Sequence, residues 1–457
     1  MSSPLRAAVV GAGPAGLAAL RALHAKGLDV TCFEKGDRPG GHWAYENSSG
    51  LSAAYRTLHL NTSRARTEFA AFPMPDWTPD FPSHFEVGRY FESFIDHFGL
   101  RERIELERGV ERAERDADGA WALTLADGTR ERFDVLVVAS GHNWDARWPD
   151  PPYPGADEFA GDQLHAHDFR DAEGFAGRRV LVVGMGNSAM DIAVESSQVA
   201  ARTLLSTRRG TRIVPKYVFG KPADQITSPW AALLPWRLRQ PLSHLMLRVA
   251  VGDMTRYGLP APAGGFLRDH PTISDTILHR LTHGEVVPRP GVRALERERV
   301  RFADGGAEEV DVIVWCTGYD VTVPYLAPGL LSHAPDELPL FKQVFSFDHP
   351  DLFFVGLIQS TGSAVPIVER QSELVADHLT GRYALPSRAR RRRDTERRRA
   401  RAARRYGERK RPAMRVEFDG HMHDIAREHA RGSRRATDAG DPRPLEARVG
   451  ARGSVAA

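Results

Sequence analysis

The chain has 457 residues, 42% hydrophobic and 26% charged, with a net charge of +3. These are values of a soluble globular protein of roughly two to four domains, with too little net charge to point to nucleic acid. Six of its 62 basic residues are Lys and the rest Arg, a bias along the whole chain that lowers the weight of any one Arg cluster. Cys32 and Cys316 form no C-x-x-C pair and each ends a strand-like run, so neither a disulfide framework nor a metal site is expected, and a reducing, cytoplasmic setting is. The start, MSSPLRAAVVGAG, enters a strand without the build of a signal peptide. No apolar run reaches the ~18 residues of a membrane span; the longest candidate, 228–252, is broken by Pro and Arg.

Residues 5–35, LRAAVVGAGPAGLAALRALHAKGLDVTCFEK, read as a strand, a glycine turn, an Ala/Leu-rich helix and a second strand. Gly11, Gly13 and Gly16 fit G-x-G-x-x-G. The first makes the turn, the second admits a pyrophosphate to the backbone, and the third lets helix pack on strand. Phosphates would sit on the helix N-terminus, beside Pro14 and Ala15, where free amides and the helix dipole favour negative charge. Glu34 ends the second strand, placed for a ribose hydroxyl. PGGHWAYE (39–46) follows, with Gly41, His42 and Trp43, and LNTSRARTEFAAFPMP (60–75) holds Asn61 and Thr62. The segment 125–143, LADGTRERFDVLVVASGHN, reads as an Asp-Gly hairpin and an apolar strand that closes on Gly141.

The stretch FAGDQLHAHDF (159–169) has neither helix nor strand period, yet it precedes a second glycine unit. In that unit, RRVLVVGMGNSAMDIAVESSQVAARTLLSTRRG (178–210), Gly184, Gly186 and Ala189 take the three glycine places. Where the first unit ends its second strand on an acid, this one has Ser206, Arg208 and Arg209. An acid suits a bare ribose, whereas a guanidinium suits the 2′-phosphate of NADP. FADGGAEEVDVIVWCTGYD (302–320) then repeats the hairpin and closing strand, ending in Gly318, and 349–379 reads as a return to the first domain.

The expected fold is α/β with two Rossmann-like, glutathione-reductase-like dinucleotide domains, the NADP domain inserted in the FAD domain. The split domain, 1–157 and 311–386, suits a long, permanently held FAD. A linker spans 158–177, and the compact domain, 178–310, suits a nicotinamide cofactor that exchanges.

Together these pieces resemble the flavin-containing monooxygenases over about 5–428. The fingerprint F-x-G-x-x-x-H-x-x-x-Y/F matches Phe159, Gly161, His165 and Phe169. Related Baeyer–Villiger enzymes carry Trp in the last place, followed by Pro or Asp; here Phe169 is followed by Arg170. EKGDRPGGHW (34–43), 60–75 and GMGNSAMD (184–191) extend the match. The resemblance implies FAD and NADPH as cofactors. It also implies a flavin hydroperoxide that passes oxygen from O2 to the soft nitrogen or sulfur of a small molecule, without a protein base. It places Asn61 beside the flavin and the nicotinamide ribose, where an amide hydrogen-bonds without adding charge. His165 becomes a positioning residue, with Phe159 and Phe169 anchoring the linker. Among the cofactor contacts stand also Thr62, Val110, Asn187, Ser188, Asp191 and Gln359. Cys316 and Arg64 depart from the family's usual residues, without an expected redox role for the cysteine.

The segment 387–411 holds 13 Arg and one Lys against three acids. Interleaved aromatics for stacking on a single strand are absent apart from Tyr406, so a solvated basic helical segment is expected over 387–428. A disordered tail is expected over 429–457. The substrate pocket is assigned by position to 60–90 and 219–236, with Trp230 and Trp236 over the flavin edge, and a homodimer is admitted. Competing readings are ketone oxygenation of the Baeyer–Villiger type, an NADPH oxidase without a coupled substrate, and a redox-dead binding protein.

Overall fold

A computed structural model describes residues 5–226, 245, 248–262, 271–407 and 411–438. The chain divides into two compact units, one of residues 1–52, 64–142 and 321–457, the other of 53–63 and 143–320.

The first unit is built on a parallel sheet in the order Leu352–Phe354, Val135–Val138, Arg6–Val10, Asp29–Phe33, Ile104–Glu105. Its central strand is apolar and buried from Ala7 to Val10 because both faces are covered. Val9 meets the helix Pro14–His24 near Gly16, and that helix packs on Val365–Leu379. Ala8 and Val10 face a core of Trp121, Leu123 and Phe133 from the antiparallel ribbon of Val110–Arg115, Trp121–Leu125 and Arg130–Phe133. The ribbon turns at Asp127-Gly128, where Gly128 adopts φ +82°.

The second unit repeats this plan. Its parallel sheet runs Val286–Arg289, Arg202–Ser206, Arg179–Val183, Val312–Trp315, Asp162–His165. An antiparallel ribbon of Val292–Leu295, Arg299–Phe302 and Ala307–Glu309 turns at Asp304-Gly305 and packs Val300 and Phe302 against Leu181 and Ile313. Central strand, neighbours, ribbon and closing strand correspond one to one, as the echo between 125–143 and 302–320 implied.

The structure departs from the sequence reading in several places. The closing strand Val312–Trp315 pairs with Val180–Val183 and stays in the second unit, so the return falls at 321 rather than 311. The expected linker at 158–177 contains a strand. Asp162–His165 pairs in parallel with Val312–Trp315, the place that Leu352–Phe354 fills in the first sheet. This strand is four residues long and paired on one side, so no alternation marks it. Gly161 is needed at its start, since a Cβ there would come within 2.6 Å of the Asp311 carbonyl oxygen.

The basic C-terminal segment is helical with most of its arginines exposed, but it also docks on the fold, and helix runs through 429–438 in place of the expected disorder. Arg388–Tyr406 buries Thr395, Ala402 and Tyr406, and its Arg398 reaches inward to donate to the Ala413 carbonyl at 3.0 Å. Lys342, itself buried, bridges Asp394 and Asp424 at 2.9 and 2.6 Å. A second helix runs Phe418–Asp438 and buries His421, Ile425, Glu428, Gly432 and Ala436. These recur at helical spacing, but only Ile425 is strongly apolar, so a hydropathy pattern misses them. Residues 439–457, like Trp230 and Trp236, lie outside the described residues.

Gly16 has no room for a side chain, since a Cβ there would run into the Gly11 carbonyl oxygen. Ala would gain ~1 kcal/mol of helix propensity, yet it collides with backbone that cannot step aside. Gly16→Ala should therefore lower stability by about 1–3 kcal/mol net, measured by thermal unfolding, and an unchanged midpoint would contradict this packing.

Candidate functional site

In the first unit the strand Arg6–Val10 ends in a turn at Gly11, whose φ of +101° favours glycine. The helix that follows has Pro14 in its first turn and no acid there. Pro suits that position because it lacks an amide the helix could not use. The dipole at this end is left uncompensated and can receive an anion. Gly40 N donates to the Ala12 carbonyl at 3.0 Å, and this brings the loop of Gly41, His42 and Trp43 over the turn. Gly41 and Gly13 meet backbone to backbone, and a Cβ on Gly41 would lie 2.9 Å from the Gly13 Cα. Glu34 is buried, and its two carboxylate oxygens accept from Ala12 N and Gly36 N, each at 2.8 Å. Burial pushes its carboxyl up, and the amide bonds oppose that. A carboxylate has acceptor sites beyond these two bonds, which suits a further donor such as a ribose hydroxyl. Ala15 lies against Gly356, just past the return strand, where a Cβ would be 3.0 Å from the Ala15 Cβ. Val110 opens the ribbon beside a bulge, and Gln359 N donates to the Met414 carbonyl at 2.9 Å.

In the second unit a cleft of about 810 Å³ gathers Gly184, Ser206, Arg208 and Arg209. Gly184 sits at φ +149°, and a Cβ there would be 2.6 Å from the Cys316 carbonyl oxygen. Burial pushes the Cys316 thiol up, so it packs as a neutral group. Around Gly186, by contrast, a Cβ would meet nothing within 4 Å, which leaves room for a ligand. The helix Asn187–Val199 begins there, again with no acid in its first turn. Ser206 donates to the Pro290 carbonyl at 2.7 Å, and Thr207 folds back onto the Arg209 carbonyl at 2.7 Å. This turn aims the next two side chains outward. Arg208 and Arg209 are exposed and, among the described residues, make no ion pair.

Several predicted residues are not on the cleft wall. Asn187 accepts from Ile273 N at 2.8 Å, Ala189 is fully buried, and Ser188 is half-buried on the same helix. Asp191 points into the interior and accepts from the Tyr55 hydroxyl. Burial pushes its carboxyl up, opposed by Tyr55 and by the charges of Lys216 and His59. Asn61 and Thr62 are half-buried on 53–63, a segment of this unit, and Gly318 follows the closing strand at φ +87°.

His165 ends the edge strand fully buried, between the rings of Trp148 and Tyr319. Its Nδ1 accepts from His167 N at 3.0 Å, which makes Nε2 the protonated nitrogen. Burial lowers its pKa, so it stays neutral at physiological pH. Phe159 joins the second unit's core, and Phe169 packs between Tyr55 and Phe175. The fingerprint is thus a strand with an aromatic anchor near each end.

Sequence reasoning missed Arg147, Trp148, Thr207 and Gly291 on the cleft wall. None carries a motif; they are brought in by loops after neighbouring strands.

Comparison with known proteins decides the family. The model of the FMO-like family, flavin-binding monooxygenase-like, matches residues 5–432. Human flavin-containing monooxygenase 5 is 31% identical over 438 residues, 92% of this chain and 82% of the relative. The chain belongs to the flavin-containing monooxygenase family. Dimethylaniline monooxygenase (N-oxide-forming) 2 of Pan troglodytes is 32% identical over 405 residues, 84% of this chain and 74% of the relative. Among solved structures, S-allyl-L-cysteine S-oxygenase from Allium sativum matches with a TM-score of 0.69 at 26% identity, covering 94% of this chain and 89% of that one. Cyclohexanone monooxygenase, at 20% identity and a TM-score of 0.70 over 95% of this chain and 99% of that one, shares the fold. This flavin monooxygenase uses FAD and NADPH, the cofactors of its family. No helix among the described residues is long and apolar enough to cross a membrane.

Gly291 leaves a specific gap in the flavin monooxygenase's cleft, since a Cβ there would lie 2.5 Å from Arg208 Cγ. If Arg208 holds the 2′-phosphate of NADPH, Gly291→Ala should displace the guanidinium and raise the KM for NADPH about tenfold, the worth of one charged contact. Initial rates at varied NADPH check this, and an unchanged KM would show that the two residues are independent.

Proposed function

We propose that this chain is an NADPH-dependent flavin monooxygenase that oxygenates soft nitrogen or sulfur centres of small molecules, with FAD on the first unit and NADPH on the second. One observation carries the assignment of the two cofactors. Two copies of one strand–glycine–helix plan differ at the end of the second strand, where one has a buried carboxylate, Glu34, and the other two exposed guanidiniums, Arg208 and Arg209, without an ion pair among the described residues. A carboxylate accepts from ribose hydroxyls and repels a 2′-phosphate, whereas a guanidinium does the reverse.

The residues fit both groups. Gly11, Gly13, Pro14, Ala15 and Gly16 would receive the FAD pyrophosphate on an uncompensated helix end, with Glu34 on the ribose and Gly41, His42 and Trp43 over the turn. The open space at Gly186 and the turn of Ser206 and Thr207 would receive NADPH, with Arg208 and Arg209 on its 2′-phosphate. Bound together, the two cofactors supply reducing equivalents and the activation of dioxygen. The overall balance consumes substrate, O2, NADPH and a proton and yields oxygenated substrate, water and NADP+. Asn61 would hold the reacting oxygen by hydrogen bonds from an uncharged amide. Its position is supported by its neighbour, for Ser63 N donates to Asp224 at 2.6 Å and Ser63 Oγ accepts from Gln225 at 2.9 Å.

Names of relatives support the substrate class, since one forms an N-oxide and one is an S-oxygenase. Cys32 and Cys316 are free thiols, which suits a reducing compartment, and we place the enzyme in the cytoplasm.

Arg208→Ala should raise the KM for NADPH ~10–100-fold more than that for NADH, the loss of one contact worth ~1.5–3 kcal/mol. Equal effects on the two cofactors would defeat the 2′-phosphate assignment. Asn61→Ala should keep NADPH oxidation going while hydrogen peroxide replaces product, checked with amines, sulfides and ketones as acceptors. Full coupling in that variant, or product from ketones alone, would overturn the reading.

A further inference from the structure

Residues 53–63 leave the first unit at Ser52 and re-enter it at Arg64, yet they pack with the second. Two hydroxyls hold them to the helix Asn187–Val199, for Tyr55 donates to Asp191 and Thr57 donates to Glu195. The two acceptors are four residues apart and so lie on one face of that helix. Asp191 is half-buried, and a carboxylate drawn out of water is stabilised by a hydrogen bond, which the Tyr55 hydroxyl supplies. The Tyr55 ring is buried against Phe169, the last aromatic of the fingerprint, and Arg56 N donates to the Arg170 carbonyl at 2.8 Å. Beyond Asn61 the segment is tied again, through Ser63 to Asp224 and Gln225. Asn61 is therefore flanked on both sides by ties to the second unit.

Resting on the reading of the Arg208 cleft as the NADPH site, we propose that residues 53–63 are a wing of the dinucleotide unit, and that Tyr55 and Thr57 are positioning residues that couple occupancy of the cleft to the setting of Asn61. A ligand seated at Gly184 and Gly186 orders the helix that starts there. Asp191 and Glu195 carry that ordering one and two turns along the helix to the wing. Neither hydroxyl touches the reacting atoms. The last fingerprint aromatic acquires a task of its own, since Phe169 is the surface against which Tyr55 is held.

The test is hydrogen exchange on the full-length, flavin-loaded enzyme with and without adenosine 2′,5′-bisphosphate, which lacks the nicotinamide half. In the unaltered chain it should slow exchange over 184–195 and also over 54–63. In the Tyr55→Phe, Thr57→Val double variant the first response should persist, while the second should fall about tenfold, the factor that one hydrogen bond to a charged group supplies. Product formed per NADPH consumed should fall with it at an unchanged KM for NADPH, and Thr57→Ser, which keeps the hydroxyl, should match the unaltered chain. If the double variant does not fold, Thr57→Val alone, at the exposed rung, gives the same comparison. A wing that responds equally in variant and unaltered chain overturns the proposal, as does protection at 184–195 without protection at 54–63. Protection at neither place overturns the cleft reading and the proposal with it, whereas a peroxide-releasing Asn61→Ala enzyme with a fully coupled double variant overturns the proposal alone.

Discussion

A helix that starts at the end of a parallel strand leaves its first amides with no partner inside the helix, and the aligned peptide dipoles add a partial positive charge there. The two dinucleotide sites we propose are arranged around two such ends. Each is kept free of acidic side chains in its first turn, and each is reached through a glycine whose side chain would collide with the neighbouring closing strand, Gly11 with Ala139 and Gly184 with Cys316. Close backbone approach is what brings strand, turn and helix near enough for one ligand to touch all three.

From a shared plan the two units diverge where chemistry requires it. In the first, Glu34 is spent partly on the loop itself, tying Ala12 to Gly36, so the acid that would read a ribose also builds the turn. In the second, the equivalent place projects two guanidiniums into solvent, and the turn is built instead by hydroxyls of Ser206 and Thr207 bonding to backbone carbonyls. A tightly framed carboxylate suits a ligand that stays. A pair of solvated cations on a cleft rim suits one that comes and goes, because long-range attraction speeds its arrival.

The fingerprint is structural before it is functional. Its glycine permits contact with the Asp311 carbonyl, its histidine ends an edge strand in a fixed tautomer, and its outer aromatics reach the core on one side and the Asn61 segment on the other. The same economy governs the C-terminal region, where a helix of overwhelming positive charge docks by turning Arg398 inward and by placing Asp394 against a buried Lys342.

Much of this was legible without coordinates, for local reasons. Glycine spacing, an apolar strand before it, an Ala/Leu helix after it, and an acid or arginine at the next strand end are all contained within about 30 residues. The repeated Asp-Gly hairpins are equally local. What the linear chain could not disclose depends on partners far away in sequence. Asp162–His165 is a strand only because Val312–Trp315 offers it an edge, and the 418–438 helix is ordered by burying Gly432 and Ala436 rather than by apolar character. Asp191, which the motif assigned to the cofactor, turns inward because Tyr55 meets it across 136 residues. Residues 53–63 likewise belong to the second unit by contact and to the first by covalent order. Local propensity settled which pieces exist and what anions they could hold; long-range hydrogen bonds and packing decided which unit each piece serves.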